Sequence, residues 1–281
     1  MKTAGIIGLG KMGHSLLQGF MNASVLTPKG VKVFDLNVER MEKVQNKWPG
    51  IEAGTSAKEL AGTVDLLFIV VEPKDVLGVL MDIGDSLKPE THVISLAACV
   101  TLPNIHLIIP AYITKVIPAI LFKYREGVSL ICHHENVPAE KARYVEELFE
   151  GVSAIRVIEE DDFEPVANIT SVGPALFSSL AEEVVSTGME NSKLTRREAE
   201  NLAFLTLKGV VKMLEEEELS FGELVDQVAT KGGITEAGIK VIRSEMPALM
   251  SDFFSITLAK HEEIKDLLGK DYRAAENFKE D

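Results

Sequence analysis

Positive charge is scarce in this 281-residue chain. Its 29 lysines and arginines face 43 aspartates and glutamates, for a formal net charge of −14. Binding nucleic acid needs clustered basic residues to neutralise phosphates, and an anionic membrane surface attracts the same clusters, so neither is expected as a partner. Cysteine is also scarce. Cys99 and Cys132 both sit in apolar stretches and read as reduced core residues, not as a disulfide framework. No apolar run approaches the roughly 20 residues of a membrane span. The opening MKTAGIIGLGKMG is interrupted by glycine and charge too soon to serve as a signal peptide. His133-His134 follows an expected strand end and no metal site is expected there. A cytoplasmic location is the simplest expectation.

What is present is an ordinary globular balance, 46% hydrophobic and 26% charged. The length suits one large domain or two ordinary ones. Short apolar runs alternate with helical stretches through the first half. Strands are expected at 4–7, 31–34, 65–71, 92–96, 114–117, 128–132 and 155–158, with helices at 12–21 and 138–149. The run DLLFIVV at 65–71 is continuously apolar, as a parallel strand covered on both faces must be. This alternation predicts a doubly wound α/β domain. The acidic stretch Glu159, Glu160, Asp161, Asp162 is either a domain boundary or a solvated turn before a helix. Strand signals end there. Helices are expected at 175–186, after a Thr195/Glu198 capping box, after a Ser220/Glu223 box, and from about 235 to 268. Leu249, Phe253, Phe254, Ile256 and Leu258 surround several faces of that last helix, which predicts burial against a second subunit. The tail KDYRAAENFKED lacks apolar periodicity and is expected to fray.

Gly8-Leu9-Gly10-Lys11-Met12-Gly13 fits the dinucleotide pattern G-x-G-x-x-G, between an expected strand and an expected helix. Gly8 permits a tight turn, Gly10 lets a pyrophosphate approach the backbone, and Gly13 allows close helix–strand packing. The helix N-terminus then offers unpaired N–H groups to the phosphates. Asp35 ends the second strand. It can accept hydrogen bonds from an adenosine ribose, favouring NAD over NADP, or it can cap the Asp-Leu-Asn turn, with Arg40 close by.

Further motifs give the chain a likeness to a known family. Val70-Val71-Glu72-Pro73, Ser95-Leu96-Ala97-Ala98-Cys99-Val100, Gly173-Pro174-Ala175 and Asp226-Gln227-Val228-Ala229-Thr230-Lys231-Gly232-Gly233-Ile234-Thr235-Glu236-Ala237-Gly238 follow the glycine loop in order. Together they resemble the pyrroline-5-carboxylate reductases. The resemblance implies an N-terminal α/β Rossmann domain over residues 1–159, followed by an all-α dimerisation and substrate domain over 160–281. It implies NAD(P)H as cofactor, a homodimer or higher homo-oligomer built through the C-terminal helices, and reduction of the C=N bond of a small anionic imine, 1-pyrroline-5-carboxylate, to L-proline. Cofactor contacts are expected from Gly8, Leu9, Gly10, Lys11, Met12, Gly13, Asp35, Val70, Val71, Pro73 and Ala97. The substrate is expected at Thr230, Lys231, Gly232, Gly233 and Thr235, with Thr235 in the catalytic position. The Gly-Gly turn before a helix is either a nest for the substrate carboxylate or a plain connection between helices.

Imine reduction asks for positioning more than for strong acid–base groups. The catalytic lysine of related hydroxyacid dehydrogenases has no counterpart in Thr170-Ser171-Val172-Gly173-Pro174-Ala175. Departures from the family pattern are Ala119 for asparagine, Glu72 for lysine, Lys231 for proline and Ile234 for threonine. They leave two alternatives: the same fold and cofactor acting on a different imine or carbonyl compound, or a non-catalytic dinucleotide-binding paralogue.

Overall fold

The computed structural model describes residues 2–277. It divides into two compact units, one comprising the chain up to Val172 together with the segment from Thr257 on, the other Gly173–Ile256. In the first unit, β1 (Ala4–Ile7), β2 (Val31–Phe34), β3 (Glu52–Ala53), β4 (Leu66–Ile69), β5 (His92–Ser95), β6 (Tyr112–Pro118), β7 (Val128–His133) and β8 (Ala154–Val157) form one sheet in the order β3-β2-β1-β4-β5-β6-β7-β8. Every pairing is parallel except β6 with β7. All expected strands are present. The two-residue β3 carries no periodicity of its own and was not among them.

Helices α1 (Lys11–Asn22), α2 (Val38–Lys47), α3 (Ala57–Ala61), α4 (Pro73–Ile83), α5 (Leu102–Ile108), α6 (Ala139–Glu150) and α7 (Phe163–Ile169) complete the chain up to Val172. Strand alternation sends Ile6, Phe68, Ile94, Val116 and Ile131 to one core with Leu16 and Phe20 of α1 and Phe149 of α6. Leu67, Ile69, Val93, Ile113 and Leu130 face the opposite core, with Leu60, Leu80, Ile105 and Phe163 from α3, α4, α5 and α7. Among the residues following Ala119, Phe122 serves packing. Phe122 meets Phe20 edge-on at 5.4 Å, and a Cβ on Gly19 would lie 2.4 Å from its ring.

The second unit contains α8 (Gly173–Glu190), α9 (Arg196–Glu216), α10 (Phe221–Val228) and the first part of α11 (Ile234–Asn277). Both expected capping boxes form: Thr195 and Ser220 each accept from the N–H three residues on, and Glu198 and Glu223 reach back. No strand follows β8 among the described residues.

The expectation for the tail fails. The tail does not fray through residue 277. Leu268, Tyr272 and Ala275, spaced four and three apart, form a stripe on α11 that joins the core of the first unit, where Tyr272 is completely buried. The surrounding charges obscure that stripe in sequence. Residues 278–281 lie outside the described residues.

Candidate active site

The strand order reverses between β1 and β4, and the glycine turn occupies the carboxyl end of β1 at that switch point, where open α/β sheets bind ligands. Each glycine is required for a different reason. Gly8 has φ +98°, and a Cβ there would sit 2.3 Å from the Val70 carbonyl oxygen. A Cβ on Gly13 would come within 2.0 Å of the Gly8 oxygen, so α1 can approach the turn only without one. A Cβ on Gly10 would meet nothing within 4 Å: its missing side chain leaves open space in front of the turn. Gly10 is also the N-cap of α1 and supplies no capping side chain, so the first-turn N–H groups are left for an outside acceptor. This cradle fits a dinucleotide pyrophosphate. Val70 and Val71 abut the turn: the Gly8 Cβ position is 3.1 Å from Val71 Cγ1. Lys11 and Met12 open α1, Pro73 opens α4, and buried Ala97 follows β5. Glu72 pairs with Lys74 at 2.8 Å on the surface, so its reversed charge is locally offset.

Asp35 is turned inward. Its Oδ2 accepts the Leu9 N–H at 2.6 Å and lies 3.3 Å from Arg40, while Oδ1 accepts the Asn37 N–H at 2.8 Å. The carboxylate thus braces the glycine turn and caps its own turn together. The Arg40 guanidinium beside it is half exposed.

Two charged groups whose role sequence reasoning missed lie behind the loop after β5. Lys115, fully buried on β6, donates to the Ala98 carbonyl at 3.3 Å, approaches Glu160 Oε1 at 2.5 Å and lies over the Phe163 ring. The same Glu160 oxygen accepts the Leu102 N–H at 2.8 Å. Glu160 is therefore no solvated member of the acidic run. The available signal was a lysine inside the apolar strand Tyr112–Pro118, because a buried lysine demands a partner. Nearby, His261 Nε2 of α11 lies 3.0 Å from Glu164, an ion pair off the ring N–H direction. Burial alone would lower the His261 pKa, but the Cys99 thiol and the Glu164 carboxylate outweigh it and raise it to about 9. Burial instead pushes the Cys132 thiol up to about 11.

In the second unit, Thr230–Thr235 forms the turn into α11. Gly232 has φ +75°, a conformation suited to glycine. Neither glycine amide is open in the way the expected carboxylate nest would require. The Gly232 N–H donates to Glu236 Oε2 at 2.7 Å, and the Gly233 N–H donates to the Thr230 carbonyl at 2.9 Å. The donors without helical acceptors are those of the first turn of α11, at Ile234, Thr235 and Glu236. Thr235 is partly exposed there, and Lys231 is exposed.

Comparison with known proteins agrees with this fold. Residues 160–264 match the family model described as pyrroline-5-carboxylate reductase dimerisation, and residues 3–99 match NADP oxidoreductase coenzyme F420-dependent. Pyrroline-5-carboxylate reductase 3 of Bacillus subtilis is 32% identical over 276 residues, covering 96% of this chain and 99% of that one. ComE operon protein 4 of the same organism is 26% identical over 259 residues, covering 92% and 95%. Among solved structures, a pyrroline-5-carboxylate reductase from Coxiella burnetii superposes with a TM-score of 0.84 at 25% identity, covering 94% and 98% of the two chains. A Plasmodium falciparum pyrroline carboxylate reductase with NADP bound has the same fold, with a TM-score of 0.78 at 24% identity over 96% and 97%. The chain belongs to the pyrroline-5-carboxylate reductase family.

Proposed function

We propose that this protein reduces 1-pyrroline-5-carboxylate to L-proline with NAD(P)H. The observation that carries the reading is an intact dinucleotide cradle in a chain that is 32% identical, end to end, to a pyrroline-5-carboxylate reductase. The cofactor supplies hydride. Gly8, Leu9, Gly10, Lys11, Met12 and Gly13 hold its pyrophosphate by backbone N–H groups and the start of α1. Val70, Val71, Pro73 and Ala97 line its path toward the nicotinamide. Asp35 keeps the turn in shape. Because its charge is already matched by two amides and Arg40, it discriminates weakly against a 2′-phosphate, and both NADH and NADPH are accepted.

The substrate carboxylate binds at the first turn of α11, beside Thr230, Lys231, Gly232 and Gly233, with the Thr235 hydroxyl donating to it. The protein's task is to hold a protonated imine in line with the hydride donor, which requires no strong general acid. The functional form is a homodimer or higher homo-oligomer in the cytoplasm. Phe177, Phe204, Leu249 and Ile256 are exposed on α8, α9 and α11, as an oligomer interface requires.

The test is oxidation of NADH and NADPH with pyrroline-5-carboxylate, run beside a panel of cyclic imines and keto acids. Thr235→Ala should raise the substrate KM about tenfold and leave cofactor affinity nearly unchanged. An unchanged KM removes Thr235 from the site. A second reading, a different imine or carbonyl substrate, is favoured by Ala119 in place of an amide and by the similarity to the ComE operon protein. Turnover confined to another member of the panel would establish it. Tight cofactor binding without turnover on any member would point to a non-catalytic paralogue.

A further inference from the structure

We infer that Lys115 and Glu160 are positioning residues that clamp both ends of the loop on the nicotinamide side of the cofactor site. This rests on the reading that Ala97 and its loop line that side. The clamp itself is explicit in the geometry. Lys115 Nζ holds the Ala98 carbonyl at 3.3 Å, and Glu160 Oε1 holds the Leu102 amide at 2.8 Å. The two side chains meet at 2.5 Å, so each anchor fixes the other. Within the loop the backbone bonds are weak, a 3.3 Å turn bond from the Val100 amide to the Ala97 oxygen and a 3.4 Å bond from the Ala97 amide to Ser95 Oγ, while the buried Val100 side chain and the Cys99 contact with His261 hold its middle.

Lys115 occupies a site built for an apolar side chain. Ile113 and Ile117 flank it on the same face of β6, Cys132 is its partner on β7, and Phe163 covers it. Burying an ammonium and a carboxylate there gains little stability over a well-packed apolar pair. What an apolar pair could not do is aim a donor at one end of the loop and an acceptor at the other. The charge pair therefore serves loop geometry. It also gives Glu160, the first residue matched by the dimerisation family model, a direct link to the cofactor loop.

The test measures affinity for NADH and for ADP-ribose, which has the same adenosine and pyrophosphate end without nicotinamide. The full-length protein, K115M and the double variant K115M/E160M are titrated by calorimetry, with thermal melting alongside. The double variant removes both charges together and so retains a folded test if K115M alone, with an orphaned acid, does not fold. In the wild type, NADH should bind more tightly than ADP-ribose. In the variants, NADH affinity should fall about tenfold or more, ADP-ribose affinity should stay within about threefold, and kcat should drop with NADH affinity. Equal weakening of both ligands, or no weakening of either in a folded variant, overturns the positioning role. Wild-type protein that binds neither ligand, or binds both equally, overturns the cofactor-site reading on which the inference stands.

Discussion

The Leu9 amide donates to Asp35 Oδ2 at 2.6 Å, which ties the glycine turn after β1 to the end of β2. Asp35→Ala should therefore loosen the turn itself, weakening NADH and NADPH alike by about tenfold and lowering Tm. Arg40→Ala should act differently. Its guanidinium is half exposed beside Asp35, where a 2′-phosphate would meet it, so the KM for NADPH should rise about tenfold while that for NADH changes little. Equal effects on the two cofactors would remove Arg40 from the ribose end.

The glycines should separate folding from binding. Gly13→Ala drives a methyl group to within 2.0 Å of the Gly8 oxygen and should destabilise the protein by several kcal/mol, on the order of the larger overpacking penalties. Gly10→Ala places a methyl in open space. It should melt within a few degrees of the wild type yet bind dinucleotide far more weakly. Melting and calorimetry on the two variants check this contrast.

Acid should weaken the fold through a buried chain of side chains. Thr114 Oγ1 lies 2.7 Å from both His92 Nε2 and His133 Nδ1, and His133 Nε2 lies 3.2 Å from Glu146. Burial, then the neighbouring His133, lowers the His92 pKa to about 3. Between pH 6.5 and about 3 the unfolded chain therefore carries a proton that folded His92 refuses, and stability falls with pH by up to about 1.4 kcal/mol per unit. His261 has the opposite sign. Its raised pKa contributes stability that is complete below 6.5 and is lost as pH climbs through about 9. Urea midpoints from pH 4 to 10 should show both limbs, with His92→Gln flattening the acid one and His261→Gln the alkaline one.

Tyr272 should matter to the nucleotide-binding unit although it stands near the C-terminus. Its ring is completely buried in that unit's core, so Tyr272→Ala should cost about 3–5 kcal/mol. A loss below about 1 kcal/mol, read from urea unfolding, would contradict the packing described.

The glycine turn, the strand alternation and both capping boxes were legible in sequence because each is a local pattern: a fixed spacing, a run of apolar residues, a hydroxyl three residues before a glutamate. The Lys115–Glu160 pair was not, because its members are 45 positions apart and only sheet pairing brings them together. The nest at Gly232-Gly233 was half legible. Its turn and positive φ follow from the two glycines, but the Glu236 carboxylate that occupies the Gly232 amide is a choice among several rotamers that spacing alone does not make. Tyr272 was missed because charged neighbours masked a short apolar stripe.

The return of α11 to the first core makes the nucleotide-binding unit discontinuous along the chain. A fragment ending at Val172 would contain every strand of the sheet and the whole glycine turn, yet lack the ring that fills one of its cores. Recombination could not carry this unit between proteins as a single cassette. Any exchange of the nucleotide-binding half must bring along the far end of the helix that begins in the other half, which couples the inheritance of the two halves.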